Sequence, residues 1–308
     1  MRRHIIIPAA IMLALSCSQG GKVDFPEPPD GYTLLRAQTE AIGLGTSTTP
    51  ANWESGAKIG VFGSTSGNNA MYILKKAGAG KNESEFYGPL VSGAEVSAVY
   101  PYSEGFTASA WAIPTVIQHT QYLNVERSMA EHFLSICSDA YAFLDAGVLR
   151  FHYPLGMLAV SFVLDNPIVV NSMAIQSSSK AISGNGTVST DGKVTMDQWA
   201  SDSIVLNCGE GIGSQDHFFL FVLPPAVYED LTLSVDIEDE GNAVFHLPQV
   251  EIKRISETGF PVSSLTISAD GLSGFHTEDG FLEGYAKIDT GNLSAFGRED
   301  GYLEEDRL

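Results

Sequence analysis

The sequence has 308 residues, 44% of them hydrophobic, and a formal net charge of −20 from 37 acids against 17 bases. That is enough apolar material for about two ordinary domains and too much for a disordered chain. The charge excludes a nucleic-acid binder and a polybasic membrane contact, because each needs a cationic face.

The chain opens with Arg2 and Arg3, followed by an apolar run from Ile5 to Leu15 broken by Pro8. The run is shorter than the ~20 residues of a membrane helix, but it has the length of a signal h-region. It ends in Ala14-Leu15-Ser16-Cys17, where small residues flank a cysteine at the point a signal peptidase would cut. The tetrapeptide resembles a bacterial lipobox, with Ala14 in place of the usual leucine. The expectation is a signal peptide over 1–16, lipidation at Cys17, and export to the outer membrane and cell surface. The alternative is an ordinary secretory signal with an incidental cysteine.

A tether follows. Gly20-Gly21 and Pro26-Glu27-Pro28-Pro29 suit neither a helix nor a central strand. Tyr32 to Leu35 reads as a short strand. Arg36 comes next, and Ala37 to Asn52 is small, polar and open to proteases.

From there the pattern has period two. Leu231 to Glu238 alternates apolar and polar throughout, as does Leu158-Val160-Phe162-Leu164. Phe218 to Leu223 is continuously apolar, as in a strand buried on both faces. Gly186 to Met196 predicts a hairpin, turned at Asp191-Gly192 through a type I′ turn. Ser128 to Leu144 is the one stretch that predicts a short helix or an irregular insertion. The fold class is all-β, built of antiparallel sandwiches. The expected division is a tether and pro-segment over 17–36, an N-terminal sandwich over 37–166, a C-terminal sandwich over 167–268 and a tail over 269–308. In the tail, Leu272 to Glu283 is echoed 21 residues later by Leu293 to Glu304, and ten acids face three bases. The tail reads either as a solvated acidic extension or as a pair of detachable strands.

Catalytic and metal-binding patterns fail one by one. Gly63-Ser64-Thr65-Ser66-Gly67 has threonine where a nucleophile elbow needs serine. Asp236 to Gly241 starts like a calcium loop, but its twelfth position is Leu247. Gly209-Glu210-Gly211-Ile212-Gly213 lacks a phosphate-loop lysine. The histidines are scattered, and His152 reads as a packed strand residue. Cys137 and Cys208 have no zinc spacing; two separate buried thiols are expected, a disulfide being the alternative. No enzyme, cofactor or metal site is expected.

Trp53-Glu54-Ser55-Gly56-Ala57-Lys58-Ile59-Gly60-Val61-Phe62 resembles the Trp-x-x-Gly-Asp-x-Ile-Gly-Val-Phe pattern of the fimbrillin family, the subunits of Bacteroidetes-type (type V) pili, with Ala57 replacing the aspartate. Ala98 to Tyr102, Gln118 and Gln121 after Ile113-Pro114, Phe151 to Leu158, and Leu223-Pro224-Pro225 follow that family's order over roughly Arg36 to Ile267. Without the resemblance, Trp53 and Phe62 read as core anchors, Gly60 as a close backbone approach, and Pro101 as a strand end.

The resemblance implies two transthyretin-like β-sandwiches and export as a lipoprotein. It also implies cleavage by an arginine-specific protease, and strand exchange with other fimbrial subunits. Carried over, the candidate scissile bond is Arg36–Ala37. The displaced segment contains Tyr32 to Leu35, and the donor begins at Leu265. A host or bacterial surface ligand would be the target of adhesion. A lipidated anchor or tip component, and a monomeric glycan-binding lipoprotein, remain as rival readings.

Overall fold

The structure is a computed structural model. It describes residues 30–39, 42–44, 47–49, 52–127, 129–163, 168–214, 217–239, 241–247, 249–254, 262–268, 281–283 and 288–292. The expected signal peptide, Cys17, the proline-rich tether and most of the repeat tail lie outside these residues.

Strand β1 (Thr33–Thr39) is followed by a small hairpin of β2 (Ile42–Leu44) and β3 (Ser47–Thr49). The chain continues through β4 (Lys58–Gly63), β5 (Ser66–Leu74), β6 (Glu83–Gly88) and β7 (Val96–Tyr100). It then leaves this first body for β8 (Ala112–Ile117), β9 (Thr120–Tyr122) and helix α1 (Met129–Ile136). It returns as β10 (Ala140–Asp145) and β11 (Val148–Phe151). The first body closes into a barrel in the order β1-β11-β10-β7-β4-β5-β6. A barrel leaves no open edge, so every strand, β1 included, is paired on both sides.

Trp53 sits at the centre of the barrel core. It is 1% exposed and meets Phe86, Tyr100 and Phe151 edge-on at centroid distances of 4.8, 5.2 and 5.5 Å. Edge-to-face geometry of this kind adds about 1 kcal/mol per ring pair beyond burial. Gly60 is a close approach, as expected: a Cβ there would stand 2.3 Å from Asn69 Oδ1 and 3.2 Å from Val99 Cγ1.

The second body comprises β12 (Gly156–Val163), β13 (Val169–Ser177), β14 (Gly184–Ser189), β15 (Val194–Met196), β16 (Ser203–Gly213) and β17 (Phe219–Leu223). They are followed by β18 (Ala226–Tyr228), β19 (Leu231–Ile237), β20 (Gly241–His246), β21 (Val250–Ile252), β22 (Val262–Ser268), β23 (Phe281–Glu283) and β24 (Ile288–Asn292). Its main sheets run β17-β12-β22-β24 and β23-β20-β19-β13-β16-β9, with smaller ones of β15-β14-β8 and β18-β21. β19 buries every second residue, and β17 buries all five of its residues, as their sequences predict.

Several expectations need correction. The first body is a closed barrel rather than an open sandwich. The sheets are not purely antiparallel: β1 with β11, β12 with β22, β9 with β16, and β20 with β23 are parallel. The strand expected over Tyr32 to Leu35 runs on to Thr39. Gly156–Val163, grouped with the first unit in the sequence, pairs with β17 and β22 of the second body. The hairpin of β14 and β15 turns at Asp191-Gly192, but Asp191 keeps a negative φ and Gly192 alone is left-handed, at +77°. Gly192 N donates to Ser189 O at 2.8 Å, and Ser189 N to Lys193 O at 3.1 Å. That is a type I turn followed by a left-handed glycine, not a type I′ turn. Cys137 and Cys208 are separate free thiols, both buried.

Candidate functional site

The candidate scissile bond, Arg36–Ala37, lies in the middle of β1. β1 pairs antiparallel with β6, from Thr33↔Gly88 to Gln38↔Glu83. Its second half, Arg36 to Thr39, pairs parallel with Val148 to Phe151 of β11. Arg36 is thus in register with Glu85 on one side and Val148 on the other. It is not in a loop.

The alternation of β1 explains its position. Leu35 and Ala37 face the barrel core, while Leu34 and Arg36 face outward. Ala37 is 0% exposed, and Trp53 Nε1 donates to its carbonyl at 3.4 Å. At the other end, Thr33 Oγ1 lies 2.9 Å from the Tyr72 hydroxyl, which donates to Pro89 O at 2.6 Å. Burial raises the Tyr72 phenol above its ordinary pKa, and the Thr33 contact opposes that rise. Outside, the Arg36 guanidinium pairs with Glu83, and Lys75 pairs with Glu85 at 2.7 Å. These four charges border an open hollow of about 270 Å³. The ion pairs are solvent-exposed and hold β1 weakly; the ladders and the Trp53–Ala37 contact hold it more firmly.

The candidate donor region is also seated within the chain. Leu265 of β22 pairs with Val160 of β12 and with Thr290 of β24. In the tail, β23 extends the other main sheet through Asn242↔Phe281. The second repeat copy lies outside the described residues.

One strand edge in the second body is blocked by side chains. Gln121 is 0% exposed; its Oε1 accepts from Val222 N at 2.9 Å, and its Nε2 donates to Val222 O at 2.6 Å. The amide thus reproduces one rung of a β-ladder on the outer edge of β17. His132 of α1 takes the neighbouring position, its Nε2 donating to Leu220 O at 3.0 Å. Burial pushes its pKa down to about 4, with the Arg127 charge acting the same way and the Leu220 bond opposing. The imidazole is therefore neutral at pH 7. Gln121 stands out in the sequence only through the resemblance to fimbrillins, and nothing in the sequence distinguishes His132 from the other histidines.

Among the described residues, no three His, Cys, Asp or Glu side chains gather as a metal would require. Burial pushes the thiol of Cys208 up to about 12 and raises that of Cys137 as well, so neither is poised as a nucleophile.

No family model matches the sequence, and no curated protein matches it. Solved structures do. A candidate cell adhesion protein of Bacteroides ovatus matches with a TM-score of 0.48 at 13% identity, over 84% of this chain and 96% of its own. A fimbrial protein of Bacteroides vulgatus matches with a TM-score of 0.43 at 11% identity, over 84% and 99%. The tip fimbrial protein Mfa3 of Porphyromonas gingivalis, truncated at its C-terminus, matches with a TM-score of 0.42 at 9% identity, over 86% and 98%. Over most of its length, the chain is similar to fimbrial and cell adhesion proteins of the Bacteroidetes.

Proposed function

We propose that the protein is a fimbrial structural subunit, exported as a lipoprotein through Cys17, that joins other fimbrial subunits by strand exchange and supports adhesion. The observation that carries this reading is the position of β1. It is the first strand among the described residues and closes a seven-strand barrel between β6 and β11. Removing it leaves two unpaired edges side by side. One incoming strand restores both ladders, and alternate side chains refill the space left by Leu35. Elsewhere Gln121 and His132 block the β17 edge, so the β1 groove is a specific place for addition. The tail from Leu265 onward is the proposed donor.

A second reading is supported by the register at Arg36. Cleavage after Arg36 frees Thr33 to Arg36 but leaves Ala37 to Thr39 paired with Leu149 to Phe151. No lysine or arginine occurs from Ala37 to Ala57, so the same protease cannot release the rest. A subunit that keeps β1 is an anchor or tip that exposes no acceptor groove.

The mass and N-terminal sequence of the protein from its native outer membrane separate the two. A chain beginning at Ala37 without lipid supports the polymerising subunit. A chain beginning at acylated Cys17 overturns that maturation and supports the anchor or tip. Treating the purified protein with an arginine-specific protease then tests exchange. A ladder in unboiled but not boiled samples on a denaturing gel is expected. A single band after complete cleavage overturns strand exchange at this groove.

A further inference from the structure

The outward face of β10 and β11 carries Tyr141, Phe143 and Arg150, and His152 follows directly after β11. Tyr141 is bridged to His152, their backbones exchanging hydrogen bonds of 2.9 and 2.8 Å. The register Leu144↔Leu149 places Phe143 across from Arg150. Two cross-strand pairs therefore stand side by side, each joining an aromatic ring to a nitrogen-bearing one or to a guanidinium. The ring centroids of Tyr141 lie 5.9 Å from Phe143 and 6.1 Å from His152. Tyr141 packs on Ile113 and Val188, which ties this face to the β14–β15 hairpin. The tip of that hairpin and Arg254 border, with the same face, an open cleft of about 340 Å³. Its size lies within the ~300–1,000 Å³ range of small-molecule sites.

We propose that this cleft binds a carboxylated sugar. The half-buried ring of Phe143, backed by the buried Tyr141, suits the C–H face of a pyranose ring, and a planar guanidinium suits a carboxylate through paired N–H donors. Arg150 is 3.8 Å from Asp145, beyond hydrogen-bond length, so its donors are not saturated by that pair. Asp191, at the hairpin tip, directs its Oδ1 to its own turn, accepting from Ser189 Oγ and from Lys193 N. The lining thus carries two guanidiniums, Arg150 and Arg254, and two carboxylates, Asp145 and Asp191, in a protein whose overall charge of −20 repels anions. Recognition depends on contact geometry, not on long-range attraction. The site faces away from the barrel interior that β1 closes, so strand exchange can fail while this proposal stands, and the reverse.

Saturation-transfer NMR on the full chain, with methyl β-glucuronide and methyl β-glucoside as probes, tests it. Transfer to the glucuronide is expected, with the glucoside about tenfold weaker. Arg150→Ala should weaken glucuronide binding by at least about tenfold, the equivalent of ~1.4 kcal/mol. Phe143→Ala should weaken both probes, with the circular dichroism of each variant unchanged. Arg150 is exposed, so its variant keeps the fold even if Phe143→Ala does not. No transfer from the wild-type protein at tens of millimolar probe overturns the site. Equal binding of the two probes overturns carboxylate recognition, and binding unchanged in Arg150→Ala overturns the location.

Discussion

Replacing Gln121 with methionine keeps the side-chain volume and removes only the amide. In the wild type that amide satisfies both Val222 N and Val222 O, in a position that is 0% exposed. The variant leaves a buried donor and a buried acceptor without partners. Each such group costs ~1–3 kcal/mol, so the expected loss is roughly 3 kcal/mol. For a domain of this size, each kcal/mol lowers Tm by ~2–4 °C, giving a fall of about 6–12 °C by circular dichroism. Gln118→Met is the control: Gln118 is exposed and contributes only its carbonyl, to a 3.4 Å contact, so the expected change is within ~0.5 kcal/mol. Gln121→Glu sharpens the test. A protonated carboxyl can still accept from Val222 N and donate to Val222 O, whereas a carboxylate faces the Val222 carbonyl with like charge. Burial holds the folded-state pKa of such a glutamate above its unfolded value, so the variant should be steadier at pH 5 and lose stability as the pH rises. A Gln121→Met protein that melts within ~1 °C of the wild type refutes the reasoning, because β17 would then not depend on the amide.

His132→Gln keeps a donor for Leu220 O without a titrating ring. In the wild type the folded imidazole titrates at about 4 against an ordinary 6.5. The unfolded chain therefore binds the extra proton, and this contribution, roughly 3 kcal/mol, is whole above about pH 6.5 and lost as the pH falls toward 4. The variant should show a shallower fall in urea midpoint between pH 7.5 and 4.5; parallel slopes would contradict it. Tyr72→Phe removes the hydroxyl that meets Thr33 and Pro89. That weakens the start of β1 by ~1 kcal/mol, and cleavage at Arg36 by an arginine-specific protease should rise about fivefold if it follows local opening. An unchanged initial rate would mean that the opening lies elsewhere. Trp53→Ala empties the centre of the barrel core and should cost ~3–5 kcal/mol by urea unfolding; a loss under ~1 kcal/mol would show that the aromatic cluster is not what holds the barrel.

What the sequence reveals follows from the range of the interaction. β19 and β17 are legible because alternation and a continuous apolar run are local patterns. The hairpin at Asp191-Gly192 is legible in place but not in turn type, since the residue pair is compatible with more than one set of φ angles. The second half of β1 is hidden because its inward residue is Ala37, whose methyl suffices only because the Trp53 ring lies against it. The helix α1 falls inside Ser128 to Leu144, where the sequence predicts a short helix or insertion, but the parallel pairs and the pairing of β8 and β9 with the second body leave no local trace. The carboxylated-sugar cleft draws on β10, β11, a hairpin tip and Arg254, segments that nothing in the sequence links. Arg36 and Ala37 are legible as positions, but their place inside a paired strand is a tertiary fact.

The parallel pairing of β1 with β11 also concerns time. β1 is among the first parts of the folded body to be made, yet Arg36 must wait until Val148 exists before its second ladder can form. β12 waits in the same way for β22. Closing such distant pairs is slow, and edges left open in the meantime are exposed to other chains. Barrel closure is thus a race between the chain's own β1 and any other strand within reach. The chain's advantage is the high local concentration that comes with covalent attachment, and a cut after Arg36 removes it for Thr33 to Arg36 while Ala37 to Thr39 stay attached.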